Sequence, residues 1–121
     1  MIDDSPTNDP HADQPVLHHG VSIDRARLAA ILVHGRGGSP EDMLGLADEL
    51  NVSDVAYLAP TAAAHTWYPQ TFLAPIDRNE PGISSGLRVL ARLLEALAQQ
   101  GVPADRVAIL GFSQGACLTL E

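Results

Sequence analysis

The run Leu28–Val33, LAAILV, leaves the chain few choices. A strand that shows one face to water alternates apolar and polar residues. Six apolar residues in succession instead predict a strand covered on both faces, as in a parallel sheet flanked by helices. The run is followed by a glycine cluster, Gly35, Gly37 and Gly38. Three further segments read as strands. Val16 to Ile23 is a weak first strand with a turn signal at Gly20, Val55 to Pro60 is a short buried strand closed by proline, and Asp105 to Leu110 is the last.

Between these strands lie helical patterns. SPEDMLGLADEL opens with Ser39 as an N-cap and Pro40 at the first helical position, where a missing N–H costs nothing. Glu41 and Asp42 face the positive end of the helix dipole, and Met43, Leu46, Ala47 and Leu50 recur at helical spacing. ISSGLRVLARLLEALAQQG is the longer helix. Leu87, Leu90, Leu94 and Leu97 line one face, Arg88, Arg92, Glu95 and Gln99 the other, and Gly101 stands where a helix stops. Strands alternating with helices predict an α/β fold with a mostly parallel sheet, whose ligands gather at the carboxyl ends of the strands. The irregular stretch from Thr61 to Gly82 is long enough to be a functional loop. Residues 1–15 are acidic and proline-spaced and are expected to form a disordered leader, with residues 16–121 belonging to one domain.

Composition removes several classes of function. The formal net charge is −8 and all seven basic residues are arginines, so there is no electrostatic footprint for nucleic acid or anionic lipid. No apolar run approaches the ~18 residues of a membrane span. The acidic start is not a secretory signal, and the single cysteine, Cys117, allows no internal disulfide, so a cytoplasmic location is expected. Neither a metal site nor a cofactor site is read from the residues. His18 and His19 are neighbours on a strand and point to opposite faces.

Two motifs carry chemistry, and both fall at strand ends. Gly111–Gly115, GFSQG, matches G-x-S-x-G directly after an apolar strand and at the opening of a helix, the context of a nucleophile elbow. Ser113 is then the nucleophile, and the helix that follows directs its partial positive charge at a developing oxyanion. The alternative is a glycine-rich turn with an incidental serine. His34–Gly38, HGRGG, is the second motif. The backbone N–H groups of Arg36 and Gln114 are the expected oxyanion-hole donors, with His34, Gly35, Gly37, Gly38, Gly111 and Gly115 shaping the two turns. A phosphate-cradling loop is excluded, because the sequence has no lysine and GRGGSP lacks the last glycine of G-x-G-x-x-G.

LVHGRGG, HTWYPQTFLAP, NEPGI and RVAILGFSQGACLTLE together resemble the N-terminal part of the phospholipase/carboxylesterase family of α/β-hydrolases, the group that includes acyl-protein thioesterases and small bacterial carboxylesterases. The resemblance runs from about residue 28 to the end. It implies hydrolysis of ester or thioester bonds of small acyl substrates, without a cofactor, through an acyl-enzyme on Ser113, and it puts Trp67 and Tyr68 in the wall of the substrate pocket. The same two aromatics also suit a core position. One departure is plain. Hydrolases of this fold place Asp or Glu and then His after the serine, and residues 114–121 contain neither Asp nor His. The base and acid are therefore expected beyond Glu121, in a domain of about 200 residues truncated here after the elbow. His34 and His65 are the histidines nearest the motifs, with His34 expected to hold the oxyanion loop. Two further readings share the motifs: a non-catalytic remnant of such a hydrolase, and an acyltransferase using the same serine. Oligomeric state is not legible.

Overall fold

The computed structural model describes residues 9–50, 53–70, 73–111, 114, 115 and 118. Ser113, Cys117 and Leu120, and the first eight residues, lie outside the described residues. Four strands, β1 (Val16–Gly20), β2 (Leu28–Val33), β3 (Val55–Pro60) and β4 (Val107–Gly111), form one sheet in the order β1-β3-β2-β4. β2 runs parallel to both of its neighbours, and β1 closes one edge antiparallel to β3. The α-helices α1 (Pro40–Leu50) and α2 (Gly82–Gln99) pack against the sheet among the described residues. This is the α/β layering that the apolar runs require.

Position in the sheet explains the strand sequences. All six residues of β3 and the last five of β2 are buried, whereas the burial of β1 and β4 at the edges is partial. On one face Ala29, Ile31, Val33 and Leu58 belong to a core with Leu90 and Leu97 of α2, Trp67 and Leu118. On the other face Ala30, Leu32, Tyr57 and Ala59 pack with Met43 and Ala47 of α1.

Several expectations shift in detail. β1 ends at Gly20, and Ile23–Arg25 form a 3-10 turn rather than strand. β4 begins at Val107, because Ala104–Arg106 are also a 3-10 turn. In α1, Leu46 is 48% exposed and Leu44 packs toward the core in its place, so the buried stripe lies further round the helix. Within the stretch expected to be a leader, His11 is 3% exposed and the Pro15 carbonyl accepts the Thr61 N–H at 3.1 Å.

Both helix ends that matter here are closed by local chemistry. Ser39 Oγ accepts the Asp42 N–H at 3.2 Å, as an N-cap should. At the end of α2 the Val102 N–H reaches the Leu97 carbonyl (2.8 Å) and the Gly101 N–H reaches the Ala98 carbonyl (3.1 Å). That pair of bonds is a Schellman motif, and it needs the left-handed backbone that Gly101 supplies at φ +96°. Leu97 and Val102 are buried in the same core cluster, which is the apolar contact that accompanies the motif.

The Gly101→Ala variant is expected to lose about 1–2 kcal/mol of stability, since a Cβ at positive φ crowds the carbonyl that follows. Gly45→Ala is the control: it lies in α1 with open space around it, so it should gain about 0.5–1 kcal/mol. Urea unfolding of both variants checks the pair. Equal effects of the same sign would show that the helix end has been misassigned.

Candidate functional site

The parallel pairing decides where the site lies. β2, β3 and β4 all point the same way, and Val33 pairs with Gly111. The HGRGG loop, the loop after β3 and the GFSQG turn therefore leave the sheet along one edge. Ser113 itself lies outside the described residues, but Gly111, Gln114 and Gly115 bracket it. Gly115 sits directly on the end of β2. A Cβ there would run into the carbonyl oxygens of Val33 and His34, so only glycine lets the turn come this close.

Trp67 ties the three loops together. Its indole is fully buried, and Nε1–H donates to the His34 carbonyl at 2.9 Å. Its ring stacks on His34 at 5.2 Å between centroids and meets His11 edge-on at 4.9 Å. Its backbone N–H donates to Gln114 Oε1 at 2.7 Å, while Gln114 Nε2 donates to the Tyr68 carbonyl at 2.6 Å. Gln114 thus contributes a side chain, where the sequence pointed only to its backbone. The planar amide offers both an acceptor and a donor, and adjacent residues of the β3 loop take both.

The HGRGG loop is fastened to the same segment. The Gly37 N–H donates to the His65 carbonyl at 2.7 Å, and His65 Nδ1 donates to the Gly38 carbonyl at 2.9 Å. The Gly38 N–H donates to the Gly35 carbonyl at 3.0 Å. The Arg36 guanidinium spans the gap, with donors 2.8 Å from the carbonyls of Pro69 and Gln70. The Arg36 backbone N–H, by contrast, has no hydrogen-bond partner among the described residues.

His34 is 1% exposed, and both ring nitrogens are engaged. Nε2 accepts the Ala62 N–H at 3.1 Å, so the proton is on Nδ1, which donates to the Gly35 carbonyl at 2.7 Å. Burial holds its pKa below the ordinary histidine value, against the partial support of the Gly35 carbonyl. A ring so bound has no lone pair left to take a proton from a nucleophile. His65 is exposed, and its ring keeps only the Gly38 bond among the described residues. His18 and His19 lie on β1, at the opposite edge of the sheet from β4, where His19 meets Asp48 at 2.8 Å.

Trp67 and Tyr68 take the core position that the sequence left open, 0% and 4% exposed. They also line a cavity of about 240 Å³, with His11, Ala63, Thr66 and Gly82 among its other walls. The contacts that sequence reasoning missed are the Gln114 amide, the Arg36 guanidinium and His11. No local signal marks them. No group of three metal-ligating side chains gathers among the described residues, and no helix there is long and apolar enough to cross a membrane.

Gln114→Met keeps the side-chain length and removes both bonds. Two buried peptide groups then lose partners, each worth about 1–3 kcal/mol, so a loss of about 2–6 kcal/mol is expected. Denaturant unfolding followed by Trp67 fluorescence measures it. A variant as stable as the parent would show that the amide does not hold the loop.

Residues 20–121 match the family model described as Phospholipase/Carboxylesterase. Among relatives, acyl-protein thioesterase 1 of Eremothecium gossypii is 30% identical over 111 residues, covering 78% of this chain and 47% of that protein. Acyl-protein thioesterase 1 of Cryptococcus neoformans var. neoformans is 27% identical, covering 85% of this chain and 51% of that protein. Among solved structures, a phospholipase/carboxylesterase from Dyadobacter fermentans superposes with a TM-score of 0.86 at 38% identity, covering 90% of this chain and 52% of that one. The chain therefore spans about half the length of the relatives it matches.

Proposed function

Because this chain belongs to the phospholipase/carboxylesterase family, we propose that it carries the nucleophile and oxyanion donors of a serine hydrolase that cleaves carboxylic ester or thioester bonds. One observation carries the reading. The HGRGG loop and the GFSQG turn lie side by side at the carboxyl edge of the sheet, in contact through Gly115 and bound together by Trp67 and Gln114.

In this reading Ser113 Oγ attacks the acyl carbon, and the carbonyl oxygen becomes an oxyanion. The backbone N–H groups of Arg36 and Gln114 receive it. The neighbouring N–H groups of Gly37 and Gly38 are already committed to carbonyls, while that of Arg36 faces none among the described residues, which supports its assignment as donor. The leaving alcohol or thiol departs as the carbonyl re-forms, and water then releases the acid from the acyl-enzyme.

The base and acid belong, in this reading, to sequence beyond Glu121. His34 and His11 have both ring nitrogens engaged and His19 is paired at the far edge of the sheet, which favours a base from elsewhere, with His65, exposed and bound to the Gly38 carbonyl through Nδ1, the histidine near the loops left to test against it. The coverage of relatives over only about half of their length agrees with this. The substrates are small acyl esters or thioesters, turned over without a cofactor, and the location is cytoplasmic.

The test uses the full-length protein with nitrophenyl esters of graded chain length and a fluorophosphonate probe. Turnover and a probe adduct on Ser113 are expected, and Ser113→Ala should lose both. Equal labelling of Ser113→Ala would overturn the assignment. A second variant addresses the oxyanion loop. Gly37 stands at φ +74°, so Gly37→Val should reshape the donors and lower kcat about 10²–10³-fold. Wild-type kcat in a folded Gly37→Val would show that the loop holds no donor.

A further inference from the structure

We propose that His11 is a positioning residue for this site: its neutral ring clamps the loop after β3 alongside His34, and the clamp opens when His11 takes a proton. The catalytic consequence rests on the hydrolase reading above. The clamp itself rests on geometry alone. His11 also lies outside residues 20–121, the span matched by the family model, so the family match does not account for it.

Two consecutive peptide groups are held by two histidines from distant parts of the chain. The Ala62 N–H donates to His34 Nε2 at 3.1 Å, and the Ala63 N–H donates to His11 Nδ1 at 3.0 Å. An N–H can donate only to a nitrogen with a free lone pair, so both rings are neutral and their tautomers are set. The remaining nitrogen of His11, Nε2–H, donates to the Trp67 carbonyl at 2.8 Å. Protonation at Nδ1 would set N–H against N–H and break the bond to Ala63.

The clamped segment needs holding. Ala64 and His65 both have positive φ, 52° and 60°, a backbone conformation that non-glycine residues keep only where their surroundings over-determine it. The same His65 binds Gly37 and Gly38 through its carbonyl and its ring. Release at Ala63 is thereby transmitted to the oxyanion loop. The near side of His11 is anchored too. Its backbone N–H donates to Ser85 Oγ at 3.0 Å, and the Ser85 hydroxyl donates to Asp9 at 2.6 Å. Arg92 and Arg88 of α2 pair with the same carboxylate. Ser85 first, and then Arg92 and Arg88, hold the Asp9 carboxyl down to about 2 against its desolvation.

The charged and titratable groups around His11 are Asp9 on its own segment, Arg88 and Arg92 on α2, Glu80 before α2 and His34 after β2. Burial pushes the pKa of His11 below the ordinary value. The Trp67 carbonyl and Asp9 oppose that shift, and His34 adds to it. With the folded value below the unfolded one, the unfolded chain binds the proton first. The clamp's contribution is complete above the unfolded histidine value of about 6.5 and is lost as pH falls through the lower folded value.

The experiment uses the full-length protein, His11→Asn and His11→Phe. Asn retains an acceptor near the position of Nδ1 but does not titrate, whereas Phe retains a ring and no acceptor. ¹⁵N-histidine NMR at about pH 7.5 should show His11 unprotonated at Nδ1, and lowering the pH should shift the Ala63 amide with a midpoint below about 6.5. His11→Asn should abolish that step in the Ala63 amide. Ester turnover at the higher pH should fall about tenfold in His11→Phe, mainly in kcat, and be rescued by His11→Asn, because only Phe leaves the Ala63 N–H without an acceptor. A protonated Nδ1 at the higher pH, an unchanged acid step in His11→Asn, or, in an active parent, equal turnover in parent and His11→Phe would overturn the proposal. Absence of all turnover in the parent, with the NMR signature intact, would count against the hydrolase reading and support the clamp.

Discussion

The rest of the site depends on one buried indole. Trp67 brings a large apolar surface into the core and one N–H that must find an acceptor there, because an unpaired buried donor is costly. The His34 carbonyl is that acceptor. Once this bond is made, the loop after β3 lies against the loop after β2. The Gln114 amide then finds two peptide groups of the same loop within reach. Three segments from distant parts of the chain are thereby placed around one sheet edge by apolar burial and a small set of satisfied polar groups.

Such a knot differs from a wall of exposed aromatics. Buried polar groups that are fully paired specify one arrangement, since any shift leaves several of them unpaired at once. The arrangement suits a site whose chemistry depends on donors fixed before the substrate arrives. It also explains how two non-glycine residues with positive φ can persist beside the HGRGG loop: His65 is tied through both its carbonyl and its ring.

The architecture is legible from short-range patterns. LAAILV reads as a covered strand, and it is an inner strand, β2, with a parallel neighbour on each side. VAYLAP has the same bounds in sequence and structure, because an apolar run and its closing proline mark them locally. The α1 stripe is legible only in part. Helical spacing leaves the edge of a stripe open, and the position of the sheet half-buries Leu44 against the core while leaving Leu46 in water. His34 has the loop-holding hydrogen bonds that its place in HGRGG leads one to expect. His11 sits in an acidic, proline-spaced stretch with no apolar period, so nothing in its neighbourhood indicates that it packs.

The sequence by itself determined which segments are strands and helices, where glycine closes a helix, and which turn could present a serine. Each of these follows from a residue and its near neighbours, through φ, side-chain period or close approach. Tertiary structure decided which polar groups meet. His11 and Ala63 are 52 positions apart, and Gln114 and Trp67 are 47 apart. A hydrogen bond across such distances leaves no period, spacing or propensity behind. It exists only because the sheet order and the burial of Trp67 bring the partners into contact, where leaving them unpaired would cost about 1–3 kcal/mol for each group.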